Sequence, residues 1–289
     1  MRNKSSDEAT PKPKGGRNLP VAIGVGVALM AALAVGLLWA PWFFILLAAL
    51  ALCLGVVEVH QALALKGMHS QVKVIVVGTA VSVIGGYAMS VLHLGLEPTT
   101  VAMTCVAGTV LACLVARLLQ GEPEGFLRDI SASSLIVAWI PLMGIFVPLL
   151  MAPDDGRLRI ITVVLCVSAS DTGAYAVGSL IGRHRMAPKV SPSKTWEGLI
   201  GSLFFAALMG VVCALFILGA PWWLGLLLGL AIALAATLGD LVESSVKRDA
   251  GLKDMSSFVP GHGGVMDRLD SLLVAVPVGW LVLHLGLGG

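Results

Sequence analysis

Long runs of apolar residues dominate the chain and constrain its fold more than any other feature. A helix that crosses a bilayer needs about 20 mostly apolar residues. Because the runs are continuously apolar rather than alternating, they exclude a membrane β-barrel. The sequence predicts an all-α integral membrane protein, a polytopic bundle of about nine transmembrane helices. The runs lie at residues 20–40, 41–58, 72–94, 99–119, 130–151, 157–181, 198–219, 222–242 and 271–287.

The composition agrees with that class and suggests how the chain is organised. Of 289 residues, 57% are apolar and 12% charged, whereas a soluble domain carries about 25% charged residues. The net charge of +2 gives no reason to expect a nucleic-acid partner. Residues 1–19 are predicted to be a disordered basic tail. Residues 20–160 are predicted to be N-terminal transmembrane helices. Residues 161–289 are predicted to be the C-terminal transmembrane region that carries the chemistry, with exposed loops at 182–197 and 243–270.

The basic residues predict the orientation of the bundle. Cytoplasmic loops of membrane proteins carry an excess of Lys and Arg. With nine spans and a cytoplasmic N-terminus, every Lys and Arg except Arg157 and Arg159 falls on the cytoplasmic side. We therefore expect the N-terminus inside, the C-terminus outside and the long polar loops in the cytoplasm. The cell (inner or plasma) membrane is the expected location.

The densest polar segment runs from Gly239 to Ser271. If the eighth helix continues beyond the bilayer, Asp240, Glu243, Ser244 and Lys247 lie on one face. Carboxylates beside a lysine suit a hard cation next to a phosphate. The alternative is a solvated helix end with a Glu243–Lys247 ion pair. Asp240 argues against that alternative, since it follows the apolar LAATLG, where an unpartnered charge is costly.

The same segment contains PGHGG directly before the last apolar run. Gly263 and Gly264 belong to a turn whose backbone amides can approach an anion closely. Asp267 and Asp270 lie one turn apart on the helix that follows, and Arg268 can bind a phosphate with two donors. An ordinary re-entrant loop is the alternative interpretation.

A second polar stretch, SPSKTWEG, precedes the seventh apolar run. Ser193 is a plausible helix N-cap, with Glu197 near the first turn. Alternatively, the Ser and Thr hydroxyls could bind phosphate together with Lys194. From the residues alone, the helix cap is favoured.

Two carboxylates lie within or at the end of apolar runs. Asp171 lies inside the sixth run among Ser and Thr residues, and an unpaired charge there costs at least ~2.5 kcal/mol. Asp171 is therefore a functional candidate, with a structural Asp–hydroxyl network as the alternative. Glu58 and His60, at the end of the second run, are interpreted as a helix end that reaches the lipid headgroups.

The string SSVKRDAGLKDMSSFVPGHGGVMDRLD, Ser244 to Asp270, resembles the signature of the phosphatidate cytidylyltransferases and departs from it at Val259. SASDTGAYAVG (168–178) and SPSKTWEG (191–198) resemble two further blocks of that family. The resemblance implies an enzyme that transfers CMP from CTP to phosphatidic acid, giving CDP-diacylglycerol and pyrophosphate. Its implied partners are CTP, phosphatidic acid and the lipid bilayer.

The resemblance also implies a set of site residues. The lipid phosphate is already ionised near neutral pH, so the reaction needs positioning and charge neutralisation rather than a strong base. Mg²⁺ would lie on Asp240 and Asp267, and Asp270, Glu243 or Asp171 could orient it or hold a second cation. The groups that act on the phosphates would be Lys194, Lys247, Arg248, Lys253, Arg268 and His262. The remaining substrate-binding residues would be Ser191, Ser193, Thr195, Asp171, Ser244, Gly263 and Gly264.

Three other functions compete with this interpretation. A CTP-dependent polyprenol or phytol kinase, or an ether-lipid cytidylyltransferase, would keep the same architecture. A transporter that uses Asp171 as its coupling site would spread polar residues through several spans. Here the ionic residues gather at one end of the last spans, which favours an enzyme. The sequence leaves open whether the chain forms a homodimer.

Overall fold

The computed structural model describes residues 19–92, 97–256, 258 and 263–288. They form a bundle of helices with one short antiparallel β hairpin between two of them. In chain order the elements are α1 (Leu19–Leu38), α2 (Pro41–Ala64), α3 (Val72–Leu92), α4 (Pro98–Leu118), α5 (Phe126–Trp139), α6 (Pro141–Gly144), α7 (Phe146–Met151), α8 (Gly156–Ile181), β1 (Arg185–Ala187), β2 (Ser191–Thr195), α9 (Trp196–Phe216), α10 (Trp222–Asp249) and α11 (Met266–Leu287).

The predicted class, a polytopic membrane bundle, is confirmed. In the described part of the chain, eight helical segments are long and apolar enough to cross a membrane, with Phe126–Met151 taken as one segment. The first predicted run coincides with α1, whose crossing of the membrane stays a prediction. The predicted disordered tail, apart from Leu19, lies outside the described residues.

The fifth predicted run is not one continuous helix. Pro141 ends α5 because proline has no amide proton and its ring clashes with the preceding turn. The chain continues as the short helices α6 and α7, and Pro148 lies within α7. This segment is buried deep in the bundle, which explains how its interrupted backbone is tolerated in a membrane protein.

Contacts between helix ends show that the helices alternate in direction. Lys66, just after α2, pairs with Asp249 at the end of α10, with Nζ 3.5 Å from Oδ1. At the opposite end, Arg157 donates to the backbone oxygen of Leu38 at 2.8 Å. Arg159 similarly reaches the backbone just after α11. We call the end that carries Lys66 and Asp249 the charged end.

Small residues allow α8, α9 and α10 to pack closely. A side-chain carbon added to Gly173 in α8 would lie 2.6 Å from the backbone oxygen of Gly201 in α9, and the reverse contact has the same length. Gly210 and Gly225 form an equivalent contact between α9 and α10. Close backbone approach through glycine is typical of helix packing in membranes. It fixes the positions of the polar residues near the charged end.

Both segments predicted as loops are partly ordered elements. Within 182–197, β1 pairs with β2, and α9 begins at Trp196. The prediction that Ser193 is the helix N-cap is wrong, because strand pairing continues to Thr195. The Thr195 hydroxyl oxygen accepts the Gly198 amide proton at 3.1 Å and is the cap.

Within the second predicted loop, 243–270, the structure is also more helical than predicted. Both of its ends are helical, since α10 continues to Asp249 and α11 begins at Met266. The four polar residues expected on one face of α10 are therefore helical.

Candidate active site

A cavity of about 320 Å³ lies towards the charged end, between α8, α9, α10, α11 and the β hairpin. Four carboxylates line it: Asp171 from α8, Asp240 from α10, and Asp267 and Asp270 from α11. Strand β2 contributes Ser193, Lys194 and Thr195. These seven residues are all among those predicted from the sequence to act on substrate or metal.

The contact between α10 and α11 determines where two of these carboxylates lie. A side-chain carbon on Gly239 would collide with the backbone oxygen of Asp270, so α10 and α11 touch at this glycine. Asp240 is the next residue of α10 and therefore lies beside Asp270 at the cavity wall. Its carboxylate pairs with Lys194 and accepts the Ser244 hydroxyl proton at 3.2 Å.

Lys247 connects two carboxylates on different helices. Its Nζ lies 2.5 Å from Glu243 Oε2, one turn earlier on α10, and 2.7 Å from Asp267 Oδ1 on α11. Glu243 is fully buried and does not line the cavity. The sequence-predicted Glu243–Lys247 pair therefore exists, but as a buried link to α11 rather than a solvated helix end. Metal binding by Glu243 stays a prediction.

Both oxygens of Asp267 are bonded within the chain. Oδ1 faces Lys247, while Oδ2 accepts the amide protons of Met255 at 3.0 Å and Gly264 at 2.8 Å. The turn before α11 needs glycine, since Gly263 has a φ of +84°. In this structure the Gly264 amide donates to a carboxylate of the chain itself. Phosphate binding by Gly263 and Gly264 stays a prediction.

The hydroxyls around Asp171 are bonded to other groups, and a functional role for Asp171 stays a prediction. The hydroxyls of Ser168 and Thr172 donate to backbone oxygens of α8 at 2.9 and 2.7 Å. The Ser170 hydroxyl bonds to that of Ser202 in α9 at 2.7 Å. These three hydroxyls are thus engaged elsewhere, and Asp171 is exposed at the cavity wall.

Of the described residues, the other predicted cationic and polar side chains lie outside the cavity wall. Arg248 donates to a backbone oxygen between β1 and β2 at 3.2 Å, which ties the end of α10 to the hairpin. Lys253 and Arg268 are exposed near the same end. Ser191 lies at the start of β2. His262 lies outside the described residues.

Thr237 and Ser271 are among the residues of the cavity wall that were not selected from the sequence. Helical spacing could have found them, since Thr237 lies three residues before Asp240 and Ser271 four residues after Asp267. Both belong to apolar runs, where a lone hydroxyl is easily read as part of the bundle.

The donor atoms of the cavity are chemically suited to Mg²⁺. Among the described residues, no group of three or more His, Cys, Asp or Glu side chains is arranged to hold a metal ion. Mg²⁺ usually takes only one or two protein carboxylates and completes its shell with water and substrate oxygens. Four aspartates around one cavity fit that requirement. The magnesium site stays a prediction.

Comparison with known proteins extends the similarity over nearly the whole chain. A family model described as the cytidylyltransferase family matches residues 20–286. A phosphatidate cytidylyltransferase from Mycobacterium leprae is 38% identical over 288 residues, covering 94% of this chain and 90% of that protein. One from Mycobacterium bovis is 34% identical over 296 residues, covering 98% and 94%. One from a Synechocystis species is 32% identical over 273 residues, covering 88% and 92%. The match therefore includes the N-terminal helices, which contain none of the three motif blocks.

Proposed function

The chain belongs to the cytidylyltransferase family, and from this membership we propose that it transfers CMP from CTP to phosphatidic acid. The products would be CDP-diacylglycerol and pyrophosphate. One observation carries the proposal: three motif blocks that are separated in the sequence meet at the same cavity. The first block contributes Asp171, the second Lys194 and its neighbours, and the third Asp267 and Asp270.

The reaction is a substitution at phosphorus. A phosphate oxygen of phosphatidic acid attacks the α-phosphorus of CTP. A new P–O bond forms there as the bond to the bridging oxygen of the β-phosphate breaks, and pyrophosphate leaves with that oxygen. Because the attacking oxygen is already ionised, the protein has to position the two anions and neutralise their charge.

Lysines and hydroxyls at the cavity suit that task. Lys194 lies at the wall and can exchange its contact with Asp240 for a phosphate oxygen, aided by the hydroxyls of Ser193 and Thr195. Lys247 lies outside the cavity wall and holds Asp267 in place through their ion pair. The exposed Arg248, Lys253 and Arg268 supply further positive charge at the charged end.

We propose that Asp240 and Asp267 hold Mg²⁺, with Asp270 or Asp171 in support or on a second cation. The bound ion would supply positive charge to the phosphate oxygens. The residues of this chain orient the carboxylates: Lys194 and Ser244 bond Asp240, and Lys247 with two backbone amides bonds Asp267.

We further propose that the cavity faces the cytoplasm at the cell membrane, where CTP is available. The lipid would enter sideways, leaving its acyl chains in the bilayer. Supporting this route, Tyr175 lines the cavity while 78% exposed, and Leu180 and Ile181 present apolar surface farther along α8. Such a surface suits contact with lipid.

The test is pyrophosphate release by the purified protein in detergent. We expect release that requires CTP, phosphatidic acid and Mg²⁺ together, and that EDTA stops. Asp267→Asn should lose the activity. Asp154→Asn, at an exposed aspartate at the opposite end of the bundle, should keep it.

Other results would replace the proposal. Release of CDP instead of pyrophosphate, on addition of a prenyl alcohol, would identify a kinase that transfers the γ-phosphoryl group. Inactivity of the folded protein with both acceptors would favour the interpretation as a transporter.

A further inference from the structure

Glu58 lies in α2, far along the sequence from the cavity, yet it is bonded to the segment that leads into α11. Its side chain is 4% exposed. Oε1 accepts the Ser256 hydroxyl proton at 2.5 Å and the Val265 amide proton at 2.9 Å. Oε2 accepts the Met266 amide proton at 2.7 Å. One carboxylate of α2 thus receives three hydrogen bonds from the opposite half of the chain.

These bonds satisfy both the amides at the start of α11 and the buried carboxylate of Glu58. The first amides of a helix have no partner within the helix, and α11 has no cap from its own N-cap residue, Val265. A buried carboxylate is costly unless it is hydrogen-bonded. Glu58 supplies the missing acceptors, and the positive end of the helix dipole stabilises its charge. It acts as a cap donated by a different helix.

The same turn also fixes Asp267. Val265 and Met266 directly precede Asp267, whose Oδ2 is bonded to the Gly264 amide. A side-chain carbon on Gly264 would lie 2.8 Å from Glu58 Oε2 and 2.9 Å from Asp267 Oδ2. Both carboxylates therefore lie close to Gly264. A shift of Glu58 would displace the turn that orients Asp267.

We propose that Glu58 is a positioning residue for the reaction. It does not line the cavity; it holds the first turn of α11 so that Asp267 and Asp270 face the cavity. This inference rests on the proposed function for its kinetic consequences. It gives the N-terminal half of the chain a role in catalysis beyond completing the bundle.

The decisive variant is Glu58→Gln, which keeps the size of the side chain but removes its charge and one acceptor. We expect kcat to fall about tenfold or more, because small displacements of reacting groups have costs of this order. The Mg²⁺ concentration for half-maximal rate should rise, since Asp267 is displaced. The KM for phosphatidic acid should stay within about twofold. A merely structural role would lower the amount of folded enzyme and leave both half-saturation constants unchanged, and that result would overturn the proposal.

Two further variants provide a control and a second test of the proposal. Glu124→Gln makes the same chemical change at an exposed residue between α4 and α5, and it should match the wild type. Ser256→Ala removes one bond to Glu58 and should shift the Mg²⁺ requirement in the same direction by a smaller factor. Since Ser256 acts through Glu58, the double variant should be no worse than Glu58→Gln alone. If Glu58→Gln does not fold, an unchanged Mg²⁺ requirement in Ser256→Ala would overturn the proposal.

Hydrogen exchange separates this inference from the proposed function. Peptides covering residues 263–270 should exchange faster in Glu58→Gln than in the wild type, without any substrate. If the wild type makes no pyrophosphate from CTP and phosphatidic acid, the proposed function fails, and the exchange rates still decide whether Glu58 holds α11. Unchanged exchange in a folded Glu58→Gln protein would overturn the inference.

Discussion

At the scale of single residues, two of the four aspartates of the cavity are paired with lysines from other elements. Lys194 reaches Asp240 from the hairpin, and Lys247 reaches Asp267 from α10. Charges at such depth are stable only with partners. The two ion pairs therefore hold Asp240 and Asp267 in place at the cavity before any substrate binds.

Asp240 provides the first test of this arrangement. Asp240→Asn removes the charge at the cavity but keeps the shape of the side chain, so we expect CMP transfer to fall about 100-fold or more. Asp249→Asn changes the same residue type on the same helix, at a side chain that is 81% exposed, and should leave the rate unchanged. Comparable rates for the two variants in a radiolabelled CMP-transfer assay would exclude Asp240 from the reaction.

Lys247 provides a test of stability. Lys247→Met leaves Glu243 fully buried without its positive partner, and breaking a buried pair costs about 3–5 kcal/mol. We expect a clear fall in the apparent Tm of the detergent-solubilised protein. Lys247→Met combined with Glu243→Gln should recover part of the loss, because the fully buried charge of Glu243 is gone while Asp267 keeps its two backbone amide donors. A double variant no more stable than Lys247→Met would contradict this account.

At the scale of elements, the sequence predicts the helices well because membrane spans must be long and continuously apolar. It predicts the cavity in part, since Asp267 and Asp270 lie one turn apart once a helix is assumed, and both line the cavity. Glu58 could not be found in this way. Its partners lie about 200 positions away, and nothing local distinguishes it from a carboxylate at a solvated helix end.

Gly239 tests how closely two elements must approach. Gly239→Ala places a carbon against the backbone oxygen of Asp270, which cannot rotate away. We expect α10 and α11 to separate and CMP transfer to fall about tenfold or more. Gly108→Ala, at an exposed glycine of α4 with no atom near the added carbon, is the matched control. Equal activity of the two variants would show that the α10–α11 contact is not critical.

At the scale of the whole molecule, the alternating helices sort charge between the two ends of the bundle. The connections of the charged end carry basic residues such as Lys66, Lys189 and Lys253. Arg157 and Arg159 lie near the opposite end. A positive surface beside the cavity attracts an anionic nucleotide. The distribution that predicts orientation therefore also favours the entry of substrate.

The orientation itself can be measured with two cysteine reporters. Glu124→Cys lies at the charged end and Asp154→Cys at the opposite end, both at exposed positions between helices. If the charged end is cytoplasmic, as the positive-inside rule predicts, an impermeant maleimide added to intact cells should label only Asp154→Cys. Glu124→Cys should react only after the membrane is opened. The unaltered chain, whose five cysteines all lie within helices, sets the background.

The reverse labelling pattern would place the cavity on the side of the membrane away from CTP. The proposed reaction would then lack its nucleotide, so this measurement tests the function as well as the topology. Labelling of both reporters in intact cells would instead indicate two orientations in the membrane. The charge asymmetry between the ends argues against that outcome, because a shared bias on every connection favours a single direction of insertion.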